Sequence, residues 1–544
     1  MKKYILLLWL FISFTSLQAQ EFEVVFQQCY GGSDADVPFA IQQQPNGGFV
    51  VFAATSSNNG DVSFHHGFTD YWLFETNASG QIVWEKTYGG SGEDVPSGML
   101  QTTDGGFLLF GNTYSYNGDV ECNHHPLGVT SDFWVIKTNS IGEITWKRCY
   151  GGTHQEWSRQ IIFDHEEGSY MLVGTTGSVD GDISHNNGTY DVWVVKIDRD
   201  GNIVWENAYG GYSHDSGNAI NLTSDGGYIV GATISYNGGN PVNGDLNCRE
   251  GLPSESATAW LLKLNSIGEI EWQQCYGGTL AEGIVDVMQT PEGGFIFVAF
   301  TTSGNGEPNC YYGQPEPQGA WDAWVVKVSK DGSIEWQRCL GGTDWDTPEF
   351  IRLLDDGTYL VGGMSKSNNF DLVCNPATNT WSNTAVLHRL SAEGDLLWTK
   401  CLGSVVDNYL YCLEIITPDH YLLGASTKVN GIDVNCTLKG NHDVWIVEIR
   451  DTTVSINEQK PTNIQPKLII FPNPATNEVW LQLPANMQQA IMQVELISPT
   501  GRLIYTSKAE GEFHKIEFKH LPPGLYLIRL WDGESWLVEK VVKK

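Results

Sequence analysis

Apolar and polar residues alternate along this chain in short runs that are joined by tight turns. A clear example is the segment from Asp191 to Gly211, which reads DVWVVKIDRDGNIVWENAYGG. The alternation runs around Trp193, stops at the turn Asp200-Gly201, and resumes around Trp205. A period of two, interrupted by Asp-Gly, predicts a β-hairpin.

Related hairpins recur along most of the chain. Each ends in a Gly-Gly signal, and the residue before it recurs every 58 to 67 residues, at Tyr30, Tyr88, Tyr150, Tyr209, Tyr276, Leu340 and Leu402. A second hairpin, such as the one turning at Asp104-Gly105-Gly106, lies between each Gly-Gly and the next Trp hairpin. Each of the seven copies thus has four short strands, A to D. This pattern predicts an all-β fold, a seven-bladed β-propeller with four-stranded blades.

The ends of the repeat region predict how the ring closes. Strand C occurs seven times, but strand D follows it only six times. At the N-terminus, Phe26 stands four residues before Tyr30, just as Trp84 stands four before Tyr88. We therefore expect the N-terminal strand to complete the last blade, because a closed ring leaves no exposed sheet edge.

The turn and Trp of each hairpin resemble the tryptophan-docked blades of quinoprotein-like propellers. In those blades a Trp packs against the neighbouring blade. The resemblance implies the fold only, since no quinone site is recognisable in the sequence.

Composition agrees with strands and turns and limits the partners. The chain of 544 residues contains 60 Gly, 20 Trp, 22 Tyr and 22 Phe, which is typical of strands and tight turns. Its net charge is −33, with +2 in residues 1–19, −36 in residues 20–460 and +1 in residues 461–544. Such an acidic surface repels phosphate and anionic lipid, which argues against nucleic acid and favours cations or neutral polar ligands. The alternative interpretation, which we favour, is that the charge only keeps the protein soluble.

The N-terminus has the parts of a secretory signal peptide. Lys2 and Lys3 precede an apolar run, and the small residue Ala19 precedes Gln20. This arrangement predicts a signal peptide at residues 1–19 with cleavage between Ala19 and Gln20. No other segment has the 18 apolar residues of a membrane span, so no transmembrane segment is predicted.

Eleven Cys in an exported chain predict disulfides with one thiol left over. Five Cys lie three residues after the strand D ring, and five lie three residues after an acidic residue of the B–C loop. This register predicts the pairs Cys122–Cys149, Cys248–Cys275, Cys310–Cys339, Cys374–Cys401 and Cys436–Cys29, of which the last locks the ring. Cys412 remains as a buried thiol. Zinc ligation is disfavoured because no Cys-x-x-Cys pair occurs.

An acidic residue follows six of the seven Gly-Gly heads by six positions, at Asp36, Asp94, Glu156, Asp215, Glu282 and Asp346. One interpretation is a ring of carboxylates that binds Ca²⁺ at a mouth of the channel. The interpretation that we favour is that each carboxylate caps backbone N–H groups of its own Gly-Gly turn. The B–C loops also carry histidines, at His65, His66, His124, His125 and His185. A surface zinc or copper site is one interpretation of these residues, but histidines in polar loops are more often only solvated.

The repeats end after Arg450. Residues 451–466 are predicted to be a linker, and residues 467–544 a small Ig-like β-sandwich. Its motifs are Phe471-Pro472-Asn473-Pro474, a turn from Ser498 through Gly501 to Arg502, Leu521-Pro522-Pro523-Gly524-Leu525-Tyr526, and the basic end from Lys540 to Lys544. These motifs resemble the type A sorting domain of the type IX secretion system of Bacteroidetes. The resemblance implies export through the periplasm by the type IX secretion machinery, removal of the domain, and a final place at the outer-membrane surface or in the medium.

Binding residues are expected in loops that differ between copies, because the repeated residues form the scaffold. The long B–C loop of the fifth blade carries Tyr311, Tyr312 and Trp321, whose rings suit stacking on sugars. No nucleophile elbow, zincin helix, P-loop or unique carboxylate pair occurs, so no catalytic residue and no cofactor beyond Ca²⁺ is predicted. We expect a non-catalytic propeller that binds an extracellular glycan or protein. The alternative is a carbohydrate-active hydrolase or lyase.

Overall fold

The computed structural model describes residues 22–125, 128–235, 244–248, 257–308, 310–312, 320–374, 382–452, 469–471, 478–482, 492–498, 503–509, 513–522, 524–531 and 536–543. The chain divides into two compact units, Met1–Thr453 and Val454–Lys544. The signal-peptide residues, with Ala19 and Gln20, lie outside the described residues, as does the linker after Thr452. In the part of the chain that the structure describes, no helix is long and apolar enough to cross a membrane.

The first unit is built from antiparallel β-strands, which are β1 (Phe22–Tyr30), β2 (Asp36–Gln43), β3 (Phe49–Thr55), β4 (Asp70–Thr76), β5 (Ile82–Tyr88), β6 (Asp94–Gln101), β7 (Phe107–Thr113), β8 (Asp132–Thr138), β9 (Ile144–Tyr150), β10 (Glu156–Asp164), β11 (Ser169–Thr176), β12 (Asp191–Ile197), β13 (Ile203–Tyr209), β14 (Asp215–Leu222), β15 (Tyr228–Ile234), β16 (Thr258–Leu264), β17 (Ile270–Tyr276), β18 (Glu282–Gln289), β19 (Phe295–Thr301), β20 (Asp322–Val328), β21 (Ile334–Leu340), β22 (Asp346–Leu353), β23 (Tyr359–Ser365), β24 (Thr384–Leu390), β25 (Leu396–Leu402), β26 (Asn408–Thr417), β27 (His420–Thr427) and β28 (Asp443–Asp451). A short 3-10 helix at Phe370–Leu372 follows β23.

Among the described residues these strands form seven four-stranded sheets. Sheets 1 to 6 are β2–β5, β6–β9, β10–β13, β14–β17, β18–β21 and β22–β25, and sheet 7 consists of β26, β27, β28 and β1. The chain is therefore all-β with repeated four-stranded sheets, as the hairpin pattern predicts. The hairpins around Trp193 and Trp205 form β12 and β13, the outer half of sheet 3.

The N-terminal strand completes the last sheet. β1 pairs antiparallel with β28, so that Phe26 lies opposite Glu448 and Cys29 lies opposite Trp445. β2 of sheet 1 packs against β26 and β27 of sheet 7. The first and last sheets of the unit are thus neighbours, and the position of Phe26 in the sequence predicts this pairing.

Successive sheets dock through a ring on the fourth strand of one and a turn glycine of the next. A Cβ atom added to Gly142 would lie 2.8 Å from Trp84 Cζ3, and Tyr88 Oη donates a hydrogen bond to the Gly142 carbonyl oxygen at 2.6 Å. Gly142 has a φ of 78°, which glycine adopts at little cost. The same contact recurs at Trp146 with Gly201, Trp205 with Gly268, Trp272 with Gly332 and Trp336 with Gly394.

The third strand of each sheet forms the core. Its Trp side chain is fully buried in six of the seven sheets, at Trp72, Trp134, Trp193, Trp260, Trp324 and Trp445. Trp193 Nε1 donates a hydrogen bond to Glu206 Oε2 at 2.9 Å, so the polar edge of the buried ring keeps a partner. Truncation of such a ring costs about 3–5 kcal/mol, so these tryptophans belong to the scaffold.

The second unit contains two sheets in its described residues. Its strands are β29 (Ile469–Phe471), β30 (Glu478–Gln482), β31 (Met492–Ile497), β32 (Leu503–Ala509), β33 (Phe513–Glu517), β34 (Gly524–Trp531) and β35 (Trp536–Lys543). They pair in the orders β29-β30-β33 and β32-β31-β34-β35 around a common apolar core. Within the sorting motif, the buried Tyr526 donates from Oη to the Pro522 carbonyl oxygen at 2.8 Å, and Lys540 lies in β35. The remaining motif residues Pro472, Asn473, Pro474, Gly501, Pro523 and Lys544 lie outside the described residues.

Candidate ligand-binding cavity

The first strands of all seven sheets surround one cavity of about 800 Å³. Consecutive residues of these strands reach the cavity where a β-bulge interrupts the regular pairing, as between Ser158 and Gln160 in β10 and between Pro96 and Gly98 in β6. In β10, Trp157 and Arg159 line the cavity, whereas Glu156 is fully buried. Volume and shape are those of a typical ligand pocket in proteins.

One pair of charges in the cavity wall is satisfied internally. Arg352 Nη1 lies 2.6 Å from Asp286 Oδ2, and the Ile351 backbone N–H donates to the same oxygen at 3.0 Å. This ion pair joins β18 to β22. The positive charge of the Arg352 guanidinium is therefore already balanced within the protein.

Arg159 and Glu349 are different, because neither side chain makes a hydrogen bond or close ion pair with the described residues. Arg159 on β10 is exposed to the cavity, and Glu349 on β22 is half-buried. Burial raises the pKa of Glu349 to about 7, and the charge of Arg159 offsets part of that rise. Two polar groups with free hydrogen-bonding capacity thus enter one cavity from different walls.

Aromatic rings lie beside these charges. Trp157 stacks on Tyr190 with ring centroids 4.8 Å apart and on His214 with centroids 5.8 Å apart. On another wall, Phe39 stacks on Tyr411 with centroids 5.9 Å apart. All five rings are half-buried, so part of each remains open to a ligand.

A second aromatic group, the Trp321 stack, consists of Phe300, Trp321 and Trp345. Trp321 lies 4.7 Å from Phe300 and 5.1 Å from Trp345, with interplanar angles of 19° and 21°. Trp321 immediately precedes β20 and Trp345 immediately precedes β22. Tyr190 and His214 precede β12 and β14 in the same way, so both stacks occupy equivalent places in different sheets. Trp345 is 41% exposed.

The three ring residues expected to bind a ligand have separate surroundings. Trp321 belongs to the stack just described. Tyr311 Oη donates a hydrogen bond to the Ala320 carbonyl oxygen at 2.7 Å, and the Tyr312 ring stacks on Phe370 at 4.9 Å. The two tyrosines therefore contact their own loop and the neighbouring sheet.

The six repeated carboxylates are buried in their own sheets. Each accepts a hydrogen bond from the second N–H group of its Gly-Gly signal, from Gly32 to Asp36, Gly90 to Asp94, Gly152 to Glu156, Gly211 to Asp215, Gly278 to Glu282 and Gly342 to Asp346. In sheet 2, the Ser115 hydroxyl donates to the same Asp94 oxygen at 2.8 Å. These donors match the capping interpretation. They do not fit Ca²⁺, which needs unprotonated oxygen ligands that converge on one point.

Two loop histidines form contacts between sheets. His66 Nδ1 lies 3.0 Å from Asp70 Oδ2, and His66 Nε2 lies 3.6 Å from Asp119 Oδ2 of the next sheet. His124 repeats this arrangement with Asp132 and Asp182. The described residues contain no group of three or more His, Cys, Asp or Glu side chains that could hold a metal ion.

The cysteines lie where the repeat register puts them. Five disulfides join Cys29 to Cys436, Cys122 to Cys149, Cys248 to Cys275, Cys310 to Cys339 and Cys374 to Cys401. Cys412 is a buried free thiol, and its burial raises its pKa to about 12. A thiol of that pKa is a poor nucleophile at neutral pH.

Sequence reasoning missed Arg159 and Glu349. Both stand nine residues after the head of a Gly-Gly signal, and the seven residues at this position all differ, being Phe39, Ser97, Arg159, Asn218, Val285, Glu349 and Tyr411. A position that varies within an otherwise repeated strand is the signal that points to the cavity. The repeated residues point to the scaffold instead.

The C-terminal part of the chain has a recognisable family. Residues 469–544 match the secretion system C-terminal sorting domain. The second unit is therefore a type IX secretion sorting domain of the Bacteroidetes kind, which indicates interaction with the secretion machinery and export to the cell surface or the medium. No curated protein sequence matches the chain.

Several solved structures are distantly similar. Puromycin hydrolase is 12% identical with a TM-score of 0.41, and the match covers 83% of this chain but only 59% of that chain. The α-L-arabinanase of Penicillium chrysogenum is 10% identical with a TM-score of 0.36, covering 78% of this chain and 98% of that one. The aldose sugar dehydrogenase of Streptomyces coelicolor is 11% identical with a TM-score of 0.33, covering 79% and 98%. At such scores no substrate or chemistry transfers to this protein.

Proposed function

We propose that this protein is an exported, non-catalytic seven-bladed β-propeller that binds a glycan in its central cavity. Its parts are a signal peptide (1–19), the propeller (20–450), a linker (451–466) and an Ig-like sorting domain (467–544) that is removed on export. The mature protein acts at the outer-membrane surface or in the medium as an adhesion or scaffold module. A protein ligand at the same surface is a variant of this function.

Support for seven blades comes from how the sheets pack. Each ring-to-glycine contact, such as that of Trp84 with Gly142, joins one sheet to the next. The contact of β2 with β26 joins the first sheet to the last. Radial packing of this kind buries the apolar faces that a single sheet leaves open.

The observation that carries glycan binding is the half-buried Trp157 ring in the wall of a polar cavity. Tyr190 and His214 fix its plane, so little conformational entropy is lost when a ligand stacks on it. A sugar ring presents an apolar C–H face to an aromatic ring and hydroxyl groups to the surrounding polar atoms. The free hydrogen-bonding groups of Arg159 and Glu349 supply such partners.

A glycan array probed with the mature protein, followed by titration of the retained glycans, tests this function. Trp157→Ala is expected to weaken binding about two- to tenfold, because aromatic stacking contributes about 0.5–1.5 kcal/mol. Tyr212→Ala, which removes a ring that is 69% exposed, is the matched control and should bind like the wild type. Folded protein that retains no glycan, or a Trp157→Ala variant of unchanged affinity, would contradict the proposal.

Tyr311, Tyr312 and Trp321 remain predicted ligand contacts, and the Trp321 stack extends the aromatic surface beyond the cavity. Trp321→Ala should weaken binding of long oligosaccharides more than of short ones. Equal effects on both lengths would place the Trp321 stack outside the binding surface. Tyr311→Ala and Tyr312→Ala test the loop separately.

A carbohydrate-active hydrolase or lyase is the second candidate function. The carboxyl group of Glu349, whose pKa burial raises to about 7, is suited to donate or accept a proton at neutral pH. Incubation of the mature protein with a polysaccharide panel should then release reducing ends or unsaturated products, and Glu349→Gln should abolish the release. Binding without product, unaffected by long incubation, would favour the non-catalytic function.

A further inference from the structure

Trp157 and Arg159 form one surface on strand β10. Both side chains line the cavity, and a β-bulge between Ser158 and Gln160 leaves Arg159 at the unpaired position of the strand. Alternate residues of a strand are about 7 Å apart along its axis. A sugar ring stacked on Trp157 therefore brings its substituents within reach of the long Arg159 side chain.

Arg159 also carries the free positive charge of the cavity wall. The charge of Arg352 is balanced by Asp286 at 2.6 Å, whereas Arg159 makes no such pair with the described residues. The cavity that Arg159 enters is also lined by Glu349 from β22, Tyr411 from β26 and His214, which immediately precedes β14. Burial keeps Glu349 partly protonated near neutral pH, so it does not cancel the guanidinium charge fully.

A free guanidinium is unexpected in so acidic a protein. The chain has a net charge of −33, and its outer surface repels anions over distances of about 10 Å. Inside the cavity the local charge is different, because the arginine is exposed there and its acidic neighbours are paired or partly neutral. An anionic group on a glycan in the cavity would thus be attracted to the guanidinium beside Trp157.

We propose that Arg159 makes the cavity selective for a carboxylated saccharide, with a uronic acid ring stacked on Trp157 and its carboxylate bound by the Arg159 guanidinium. This inference rests on the glycan-binding function proposed above. The planar guanidinium fits a carboxylate with two parallel hydrogen bonds, which a lysine ammonium cannot form. Glu349, on the opposite wall, is placed to accept a hydrogen bond from a sugar hydroxyl group.

The test compares each acidic oligosaccharide with its own methyl ester. Oligomers of galacturonate, glucuronate and mannuronate, together with their methyl esters, keep the same rings and differ in the carboxylate charge. At least one acid should bind wild-type protein about tenfold or more tightly than its ester at low salt, and the difference should shrink as NaCl is added. Isothermal titration calorimetry gives both affinities.

Arg159→Gln should remove the preference for the acid: the affinity for the acid should fall about tenfold or more, and the affinity for the ester should fall less, because the Gln amide still donates to sugar hydroxyl groups. Arg159→Lys should restore only part of it, because the charge returns without the planar fork. Arg148→Gln removes the same charge from an exposed site on β9 and should change neither affinity.

Three results would overturn the inference. They are equal affinities of wild type for acid and ester, a preference that survives in Arg159→Gln, and tighter binding of a sulfated than of a carboxylated oligosaccharide. In each of these cases, the glycan-binding function would still hold if a neutral or sulfated glycan binds the wild type and loses affinity for Trp157→Ala. Absence of any glycan binding would instead contradict both proposals.

Discussion

At the scale of single residues, the carboxylate that follows each Gly-Gly signal illustrates what repetition means. Asp94 accepts hydrogen bonds from the Gly90 N–H group, the Thr113 hydroxyl and the Ser115 hydroxyl, and it is fully buried. In sheet 7 the equivalent residue is Asn408, which accepts from the Thr427 hydroxyl at 2.8 Å. A side chain that fixes its own turn in every sheet has no oxygen left for a ligand.

These carboxylates should make stability depend on pH. Burial raises their pKa values above the ordinary 3.8 and 4.5, to about 6 for Asp36, Asp94 and Asp346 and to about 7 for Glu156. Because the folded protein then binds protons more tightly than the unfolded chain, their contribution is fully present below about pH 4 and is lost as the pH rises through 6 to 7. The free energy of unfolding in urea should therefore fall between pH 4.5 and pH 7.5.

Asp94→Asn should flatten this dependence, because an amide does not titrate. The shift of Asp94 corresponds to about 2–3 kcal/mol between the two limits. The exposed Asp34→Asn is the control and should leave the slope unchanged. A free energy of unfolding that rises with pH over this range would show that the caps are ionised throughout.

At the scale of strands and sheets, stability lies in the contacts between neighbours. Tyr88 is 2% exposed, and its hydroxyl donates to the Gly142 carbonyl oxygen of the next sheet at 2.6 Å. Tyr88→Phe removes the donor and should cost about 1–2 kcal/mol, because a buried carbonyl loses its partner. Tyr116→Phe, at a site that is 52% exposed, should cost nothing measurable. Urea unfolding gives the loss of unfolding free energy for each variant. Equal losses in Tyr88→Phe and Tyr116→Phe would contradict a stabilising hydrogen bond between the sheets.

The loop histidine His124 couples sheets 2 and 3 in a pH-dependent way. The hydrogen bond that His124 Nδ1 donates to Asp132 raises the pKa of His124, and Asp182 adds to this through its charge. A raised histidine pKa contributes stability that is fully present below the unfolded value near 6.5 and is lost as the pH rises through the folded value. Removal of the histidine should therefore matter more at pH 5.5 than at pH 8.5.

Sheet 3 supplies the natural substitute for His124. Asn187 occupies the equivalent place, where its backbone N–H group donates to Asp191 and its amide donates to Asp245 at 2.9 Å. His124→Asn should thus keep stability at pH 8.5 and lose about 0.5–1 kcal/mol at pH 5.5. The exposed His165→Asn is the control. A loss that is the same at both pH values would indicate packing rather than charge.

Strands and sheets were more predictable from the sequence than the cavity, for a physical reason. The period of two and the turn glycines are local signals, and they are reinforced in every copy, so even Phe26 and the cysteine pairs could be placed by register. Arg159 and Glu349 are far apart in the chain. They line the same cavity only because the fold brings two different first strands, β10 and β22, around it. The stacking of Tyr312 on Phe370 of the next sheet is another contact that no local pattern in the sequence predicts, and Tyr312 stays a predicted ligand contact.

At the scale of the whole molecule, the disulfide between Cys29 and Cys436 holds the first strand to the last sheet. It spans 407 residues, whereas the bridge from Cys122 to Cys149 spans 27. In the chain-entropy model, bridges of these spans stabilise the fold by about 6 and about 3.5 kcal/mol, because the longer bridge restricts the unfolded chain more. The terminal bridge should therefore contribute most to stability.

Replacement of both cysteines of a bridge by alanine tests this without leaving an unpaired partner cysteine. Removal of the pair Cys29 and Cys436 should lower the free energy of unfolding more than removal of the pair Cys122 and Cys149, by about 2 kcal/mol. The first variant should also become sensitive to proteolysis near β1, since only non-covalent contacts, chiefly the pairing with β28, then retain the N-terminal segment. If the two variants lose equal stability and resist protease equally, these non-covalent contacts hold β1 in the last sheet without covalent help.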